Sequence, residues 1–302
     1  MDNLCHTLVG AACGEAGLKQ HTRFGNATLM IAANLPDLDV LVFVTDVPSV
    51  AFRRGWTHGA LAQVLLPVAL TAVLYGLDRL RPSRSAERLH KGWILALSYV
   101  GVLSHVGLDL MNTYGIRLLM PFDGRWFYGD TLFIIDPWMW LVLGLGVLSA
   151  RRSGRPRPAG TSLVVVALYI GAMVAGARVA RDIVAGAWEV QRGAPPASLM
   201  VGPVPITPFS RAVIVDAGAA YVTGTFSWLP PRVVFDPEEI PKGDADPRVA
   251  RARAARTVRA FLVWSRFPVW SVEEGAEGAV VSVRDMRFPG RGRPFVQSAT
   301  VP

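Results

Sequence analysis

The sequence predicts a mainly α protein: a polytopic membrane helical bundle of four to five spans (residues 1–188), followed by a small C-terminal α+β domain (189–302). Three observations predict it. Of the 302 residues, 51% are hydrophobic and only 18% charged, with a mean hydropathy of +0.34, which sets the chain apart from ordinary soluble proteins. Long apolar runs are separated by arginine-rich connections. From about residue 190 the pattern changes to prolines and short alternating strands.

The N-terminal stretch MDNLCHTLVGAACGEAG has neither a basic leader nor a long apolar core, so it does not read as a conventional signal peptide. Cys5 and Cys13 are the two cysteines. Without a CxxC or zinc-knuckle context they read as small apolar helix residues. Next comes ATLMIAANLPDLDVLVFVTDV at 27–47. It is apolar but interrupted by Pro36, Asp37 and Asp39, so it reads as a broken span or a re-entrant hairpin, tolerated only where it lines a cavity or is buried in protein.

Four further segments, 59–77, 93–111, 132–150 and 161–180, are long enough to cross a bilayer, which takes ~20 residues. Their connections orient them. Arg79, Arg81, Arg84, Arg88 and Lys91 crowd 78–92, and Arg151, Arg152, Arg155 and Arg157 crowd 151–160, whereas 112–131 holds only Arg117 and Arg125. The positive-inside rule places the first two connections in the cytoplasm and the third outside. The span at 161–180 then delivers the C-terminal domain to the outer side. The net charge of +8 follows from these connections. No basic–aromatic interleaving of the kind a nucleic-acid groove needs is present, so nucleic acid is excluded as a partner. The short RRSGRPRPAG reads as a solvated linker. In the C-terminal part AVIVDA and GAVVSVRDMRF read as strands and 247–264 as one helix.

This topology, drawn from arginines alone, brings His58, His105, Asp109 and Asp136 to the outer ends of their spans. Asp37 and Asp39 can reach the same depth. A carboxylate at a helix centre costs ~2.5–3.5 kcal/mol on insertion scales, so such residues face the bundle interior and mark function. His105 and Asp109, four apart, project from one helix face. That spacing suits two ligands of one ion, and histidine with carboxylates fits Zn²⁺ best, with Mn²⁺ or Fe²⁺ as alternatives. Taken singly, His105–Asp109 also reads as a structural pair, PDLD as a turn with a helix cap, and His58 and His6 as interfacial histidines. Asp136 before Pro137 reads as a helix N-cap. His21 and His90 read as solvated.

The order Met1-Asp2…His6, Pro36-Asp37-Leu38-Asp39, Arg54-Gly55-Trp56-Thr57-His58 and His105…Asp109…Asn112…Tyr114-Gly115 resembles the YdjM-like family of inner-membrane proteins, regarded as metal-dependent hydrolases. The resemblance continues through Pro121-Phe122 and Ile135-Asp136-Pro137 and covers most of residues 1–150. It is weaker at VWSRFP (263–268) and VRDMRF (283–288). Two positions depart from the family: Arg53 stands where a histidine is frequent, and Gly59 where serine is usual. The family is in turn distantly similar to the zinc-dependent phospholipase C and nuclease P1 group. That resemblance implies one ion held by Asp37 or Asp39, His58, His105 and Asp109, and a second held by His6 with Asp109 bridging. A further HxxxE-type pair of that group has no counterpart here.

The expected function is therefore a membrane-bound hydrolase of a bacterial inner membrane. A bound ion would lower the pKa of a water from ~15.7 toward ~7, Asp39 would accept a proton, and Arg53 or Arg54 would pair with a phosphate oxygen. The expected substrate is a phosphoester, either a membrane lipid or a lipid-linked small molecule, at the outer face. Two rivals remain at this level: a non-enzymatic, metal-stabilised scaffold whose outer domain binds a partner, and a transporter with an ion site in the interrupted run.

Overall fold

The computed structural model describes residues 1–45, 47–80, 89–276, 278–288 and 295–302. Arg81, Arg84 and Arg88 of the expected cytoplasmic connection lie outside the described residues, as does position 46 of the interrupted run. The chain divides into two compact units, one of residues 1–39 and 54–176, the other of 40–53 and 177–302.

The first unit is helical. Helix α1 (Asn3–Glu15) begins at Asp2, whose carboxylate accepts from the Leu4 and Cys5 amides, satisfying two of the donors a helix start leaves open. Helix α2 (Gly25–Ala32) is followed by a 3₁₀ segment (Leu35–Val44). The long helices are α4 (Ala60–Leu80), α5 (Lys91–Leu110), α6 (Pro137–Ser153) and α7 (Arg157–Arg192). Their apolar faces pack together among the described residues. Met1, together with Cys5, Val9 and Ala12 of α1, packs with Leu108, Met139, Leu143 and Met173. Ala32, Leu70, Leu74, Ile94 and Val102 join α2, α4 and α5. Both cysteines are free, Cys5 buried and Cys13 half-buried, in keeping with their reading as apolar helix residues.

Among the described residues, three helices, α4, α5 and α7, are long and apolar enough to span a membrane. The pair Gly25–Ala32 and Leu35–Val44, bent by 48°, makes a fourth if it counts as one broken span. The expected span at 132–150 is the exception. Its helix has 17 residues, about 26 Å at 1.5 Å per residue, because Asp136 caps it by accepting from the Trp138 and Met139 amides with Pro137 in the first turn. The apolar residues 132–135 precede that cap. The expected linker at 151–160 is also shorter than read: α6 runs to Ser153, Gly154 ends it in the left-handed conformation, and α7 begins at Arg157.

The second unit carries short α3 (Ser49–Phe52), the last turns of α7, and the C-terminal domain. Strands β1 (Ser198–Pro203), β2 (Ser210–Asp216), β3 (Ala220–Trp228) and β4 (Pro231–Pro241) form an antiparallel meander. Ala180, Val184 and Trp188 of α7 pack with Leu199, Val213, Val222 and Phe226 of its inner face. Strands β5 (Pro268–Gly275), β6 (Gly278–Asp285) and β7 (Val296–Val301) form a second sheet. The expected helix 247–264 is two, α8 (Pro247–Ala252) and α9 (Arg256–Trp264), broken where Ala255 turns extended.

The two C-terminal motifs singled out in the sequence meet. The buried Asp285 carboxylate accepts from the Ser265 hydroxyl at 2.8 Å, the Arg266 amide at 2.7 Å and the Arg287 guanidinium at 2.8 Å. Burial alone would raise its pKa. The Arg287 charge and these hydrogen bonds outweigh burial and hold it below the ordinary carboxylate value. Their shared role is to fasten the 264–267 turn to the end of β6.

Candidate metal centre

Helix α5 supplies two of the residues. His105 and Asp109 lie one turn apart near its C-terminal end, both fully buried. Gly101, one turn earlier, is where α2 crosses. A Cβ there would lie 2.5 Å from the Ala32 Cβ and 2.9 Å from the Ala33 nitrogen. This close approach brings the Ala33 carbonyl, one of the unpaired acceptors at the end of α2, to 2.7 Å from His105 Nδ1. A carbonyl only accepts, so Nδ1 carries the proton and Nε2 presents a lone pair.

His58 arrives from the turn before α4. Gly59 follows it, with the Met120 backbone oxygen 2.4 Å from where a Cβ would stand. That close approach is a physical reason for glycine where the resembling family has serine. His58 Nδ1 lies 3.0 Å from the Thr57 hydroxyl, which is 3.3 Å from Asp39 Oδ2. With Thr57 donating to the carboxylate and accepting from the ring, His58 also turns a lone pair on Nε2 toward the centre.

The two Nε2 atoms face each other at 3.1 Å. Asp109 Oδ2 is 3.2 Å from His58 Nε2 and 3.6 Å from His105 Nε2, and Asp37 Oδ1 is 3.8 Å from His105 Nε2. Ligand atoms of Asp37, His58, His105 and Asp109 all lie within 4.8 Å of one another. Four donors at ~2.0–2.1 Å around a tetrahedral ion stand about 3.3 Å apart, so this spacing fits one small divalent ion.

Other groups surround the quartet. Arg54 reaches Asp109 with Nε at 3.1 Å and Nη2 at 3.2 Å, and Asn112 Oδ1 with Nη1 at 2.7 Å. Its ring partner is Tyr114, 4.9 Å away, and its backbone sits at φ 54°. The Met1 amino group also contacts Asp109. His6 is buried and stacks on His105 at 3.8 Å. Its Nε2 is 3.3 Å from Asp109 Oδ1, yet neither ring nitrogen has a well-formed hydrogen bond. A buried imidazole so placed calls for a ligand.

Of the residues expected from sequence, Asp37, His58, His105 and Asp109 come together, with His6 beside them. Asp39 does not join them. Its Oδ2 accepts from the Arg54 amide at 2.7 Å and lies 3.7 Å from His58 Nδ1, on the far side of that ring. It orients His58, as second-layer carboxylates do for metal-bound histidines. Arg54 is occupied by Asp109 and Asn112 rather than open to a phosphate. Arg53 falls in the second unit, its guanidinium 5.5 Å from the Phe43 ring. Asp136 is the α6 cap that it was read as, and its Oδ2 accepts from Tyr169. His21 and His90 are exposed. The Ala33 carbonyl and the Arg54–Asn112 pair were missed. A backbone carbonyl leaves no mark in sequence, but Asn112 sits one turn past Asp109 and could have been placed by helical spacing.

From this geometry, Asp39→Asn is expected to weaken metal retention roughly 10–100-fold without abolishing it. Competition against a chelator measures this. Complete loss, as for a ligand, would return Asp39 to the coordinating set.

The uncharacterized protein YfhP of Bacillus subtilis (strain 168) is 24% identical over 309 residues, covering 98% of this chain and 90% of YfhP. No solved structure matches. The YdjM inner membrane protein family matches residues 1–180, which include every residue of the quartet, and the chain belongs to that family.

Proposed function

We propose that the protein is a membrane-bound, metal-dependent hydrolase acting on a phosphoester, in a lipid or lipid-linked molecule, at the outer face of the membrane. The observation that carries this is the buried quartet, with two imidazole Nε2 atoms 3.1 Å apart beside two carboxylates. Asp37, His58, His105 and Asp109 would hold the first ion, Zn²⁺ by donor chemistry, with Mn²⁺ or Fe²⁺ also compatible. His6, with Asp109 bridging, would hold a second. When bound, such an ion supplies Lewis-acid polarisation and an acidified water.

The protein's own residues do the rest. Ala33 and the Thr57–Asp39 pair fix both imidazoles. Arg54 and Asn112 hold Asp109. Asp37 is the least enclosed ligand, its side chain 11% exposed against 0% for the other three. Water and substrate would enter there, and Asp37 takes the proton-handling role that sequence reading gave to Asp39. The arginine distribution supports an outer position for this end of α5 and for the C-terminal domain. The distant similarity to the phospholipase C and nuclease P1 group supports phosphoester chemistry.

One observation favours a second reading. Four protein donors, three of them fully buried, resemble a closed structural site more than an open catalytic one. The protein would then be a metal-stabilised scaffold that binds a partner. The test is elemental mass spectrometry on detergent-purified protein beside His105→Ala, followed by hydrolysis of a phosphoester lipid panel. The expected result is stoichiometric metal and hydrolysis, both lost in the variant. Metal without hydrolysis supports the scaffold. No metal in folded protein after metal is added back rejects both.

A further inference from the structure

The four-stranded sheet ends in two loops that a soluble surface does not need. Residues 204–209 join β1 to β2 and residues 229–230 join β3 to β4. The register sets them side by side, and the Trp228 amide donates to the Phe209 carbonyl at 2.9 Å. Ile206, Phe209 and Leu229 are exposed at 67%, 53% and 73%, and Ile206 is held there at φ 70°. No residue from 203 to 210 or from 226 to 231 is charged. Pro205, Pro208, Pro230 and Pro231 remove backbone N–H donors that would otherwise go unsatisfied outside water.

Two contacts show where these loops lie along α7. Arg192 pairs with Glu239 at 2.6 Å, and Trp188 meets Phe235 at 5.5 Å. Moving back along α7 toward its N-terminus therefore moves along β4 toward Pro231. From Phe235 to Pro230 is five residues, about 16 Å at ~3.3 Å per residue. The same distance along a helix is about eleven residues at 1.5 Å each, which reaches Ala177, next to Arg178. Residues 158–177 of α7 carry no charge, and twenty residues make about 30 Å, the thickness of a bilayer core. Arg178 and Arg181 mark its exit.

We infer that the 204–209 and 229–230 loops insert into the headgroup–acyl boundary of the membrane on the side where α7 emerges. The bilayer is the partner of this end of the sheet. The apolar tips enter the boundary while the exposed Arg232, with Arg178 and Arg181, faces lipid phosphates. The opposite end, with Asp216, Glu239 and Lys242, stays in water. This orientation does not depend on the metal centre.

The test uses the full-length protein in vesicles of phosphatidylethanolamine and phosphatidylglycerol. A bimane label is placed at Phe209→Cys, Leu229→Cys or Ala219→Cys, the last in the turn at the opposite end, with the unsubstituted protein as blank. Insertion to the depth of interfacial anchors predicts about twofold quenching at 209 and 229 by lipid with a doxyl group at acyl carbon 5, and none at 219. Equal quenching at all three positions overturns the inference. So does shielding of 209 and 229 from water without lipid quenching, which would mean that protein covers the loops.

Discussion

Asp109→Asn is expected to purify without stoichiometric metal and to melt well below the wild-type protein. Asp109 touches more of the centre than any other residue: His6, His58, His105, Arg54 and the Met1 amino group. Asparagine keeps the shape but removes the charge. The ion then loses an anionic ligand, and Arg54, 4% exposed, loses its counter-charge. Breaking a buried ion pair by removing one partner costs ~3–5 kcal/mol. At ~2–4 °C per kcal/mol that is a melting decrease of roughly 6–20 °C. Elemental analysis and differential scanning fluorimetry in detergent read the two effects separately. Full metal content with an unchanged melting temperature would remove Asp109 from the ligand set.

Arg54→Met should show the opposite pairing of effects. The metal-free protein loses a similar ~3–5 kcal/mol, because Asp109 is left buried without its cation. The metal, however, is retained and bound more tightly. Arg54 and a divalent ion neutralise the same carboxylate, and a fixed positive charge near an ion repels it. Metal binding to the folded state alone raises stability in proportion to the logarithm of concentration over Kd. The rise in melting temperature on adding Zn²⁺ should therefore exceed that of the wild type. Loss of metal in this variant would show that Arg54 acts mainly by holding Asp109 in position. Methionine at residue 54 meets the same backbone conformation as arginine, φ 54°, so the comparison removes the charge and its hydrogen bonds to Asn112 and Asp109 without a change in backbone demand.

The unequal fates of Asp37 and Asp39 show how far sequence reading reaches. Both stand in PDLD, and both were candidates for the same ion. The segment folds as a 3₁₀ helix, in which each residue turns about 120°. Residues two apart then point about 120° apart and face different surroundings. Asp37 faces His105, and Asp39 falls behind His58. Had the segment been a strand, both would have shared a face. Helix α6 is shorter than the expected span for a reason that the sequence did contain: Asp136-Pro137 is a helix start, and the apolar residues before it were counted into the span.

By itself the sequence determined the apolar helices, the change to strands after residue 190, the α6 cap, and the residue types of a candidate metal centre. These follow from local periodicity and from the cost of placing charge among apolar residues, both properties of short stretches of chain. Only the tertiary structure decided which carboxylate joins the candidate ligand cluster, that Arg54 guards Asp109, and that the Ala33 carbonyl at the end of α2 faces His105 Nδ1. Each depends on where groups tens of residues apart meet: Ala33 with His105 through the space left at Gly101, and Arg54 with Asp109 and Asn112. Such meetings are set by how helices pack, and no spacing along the chain records them.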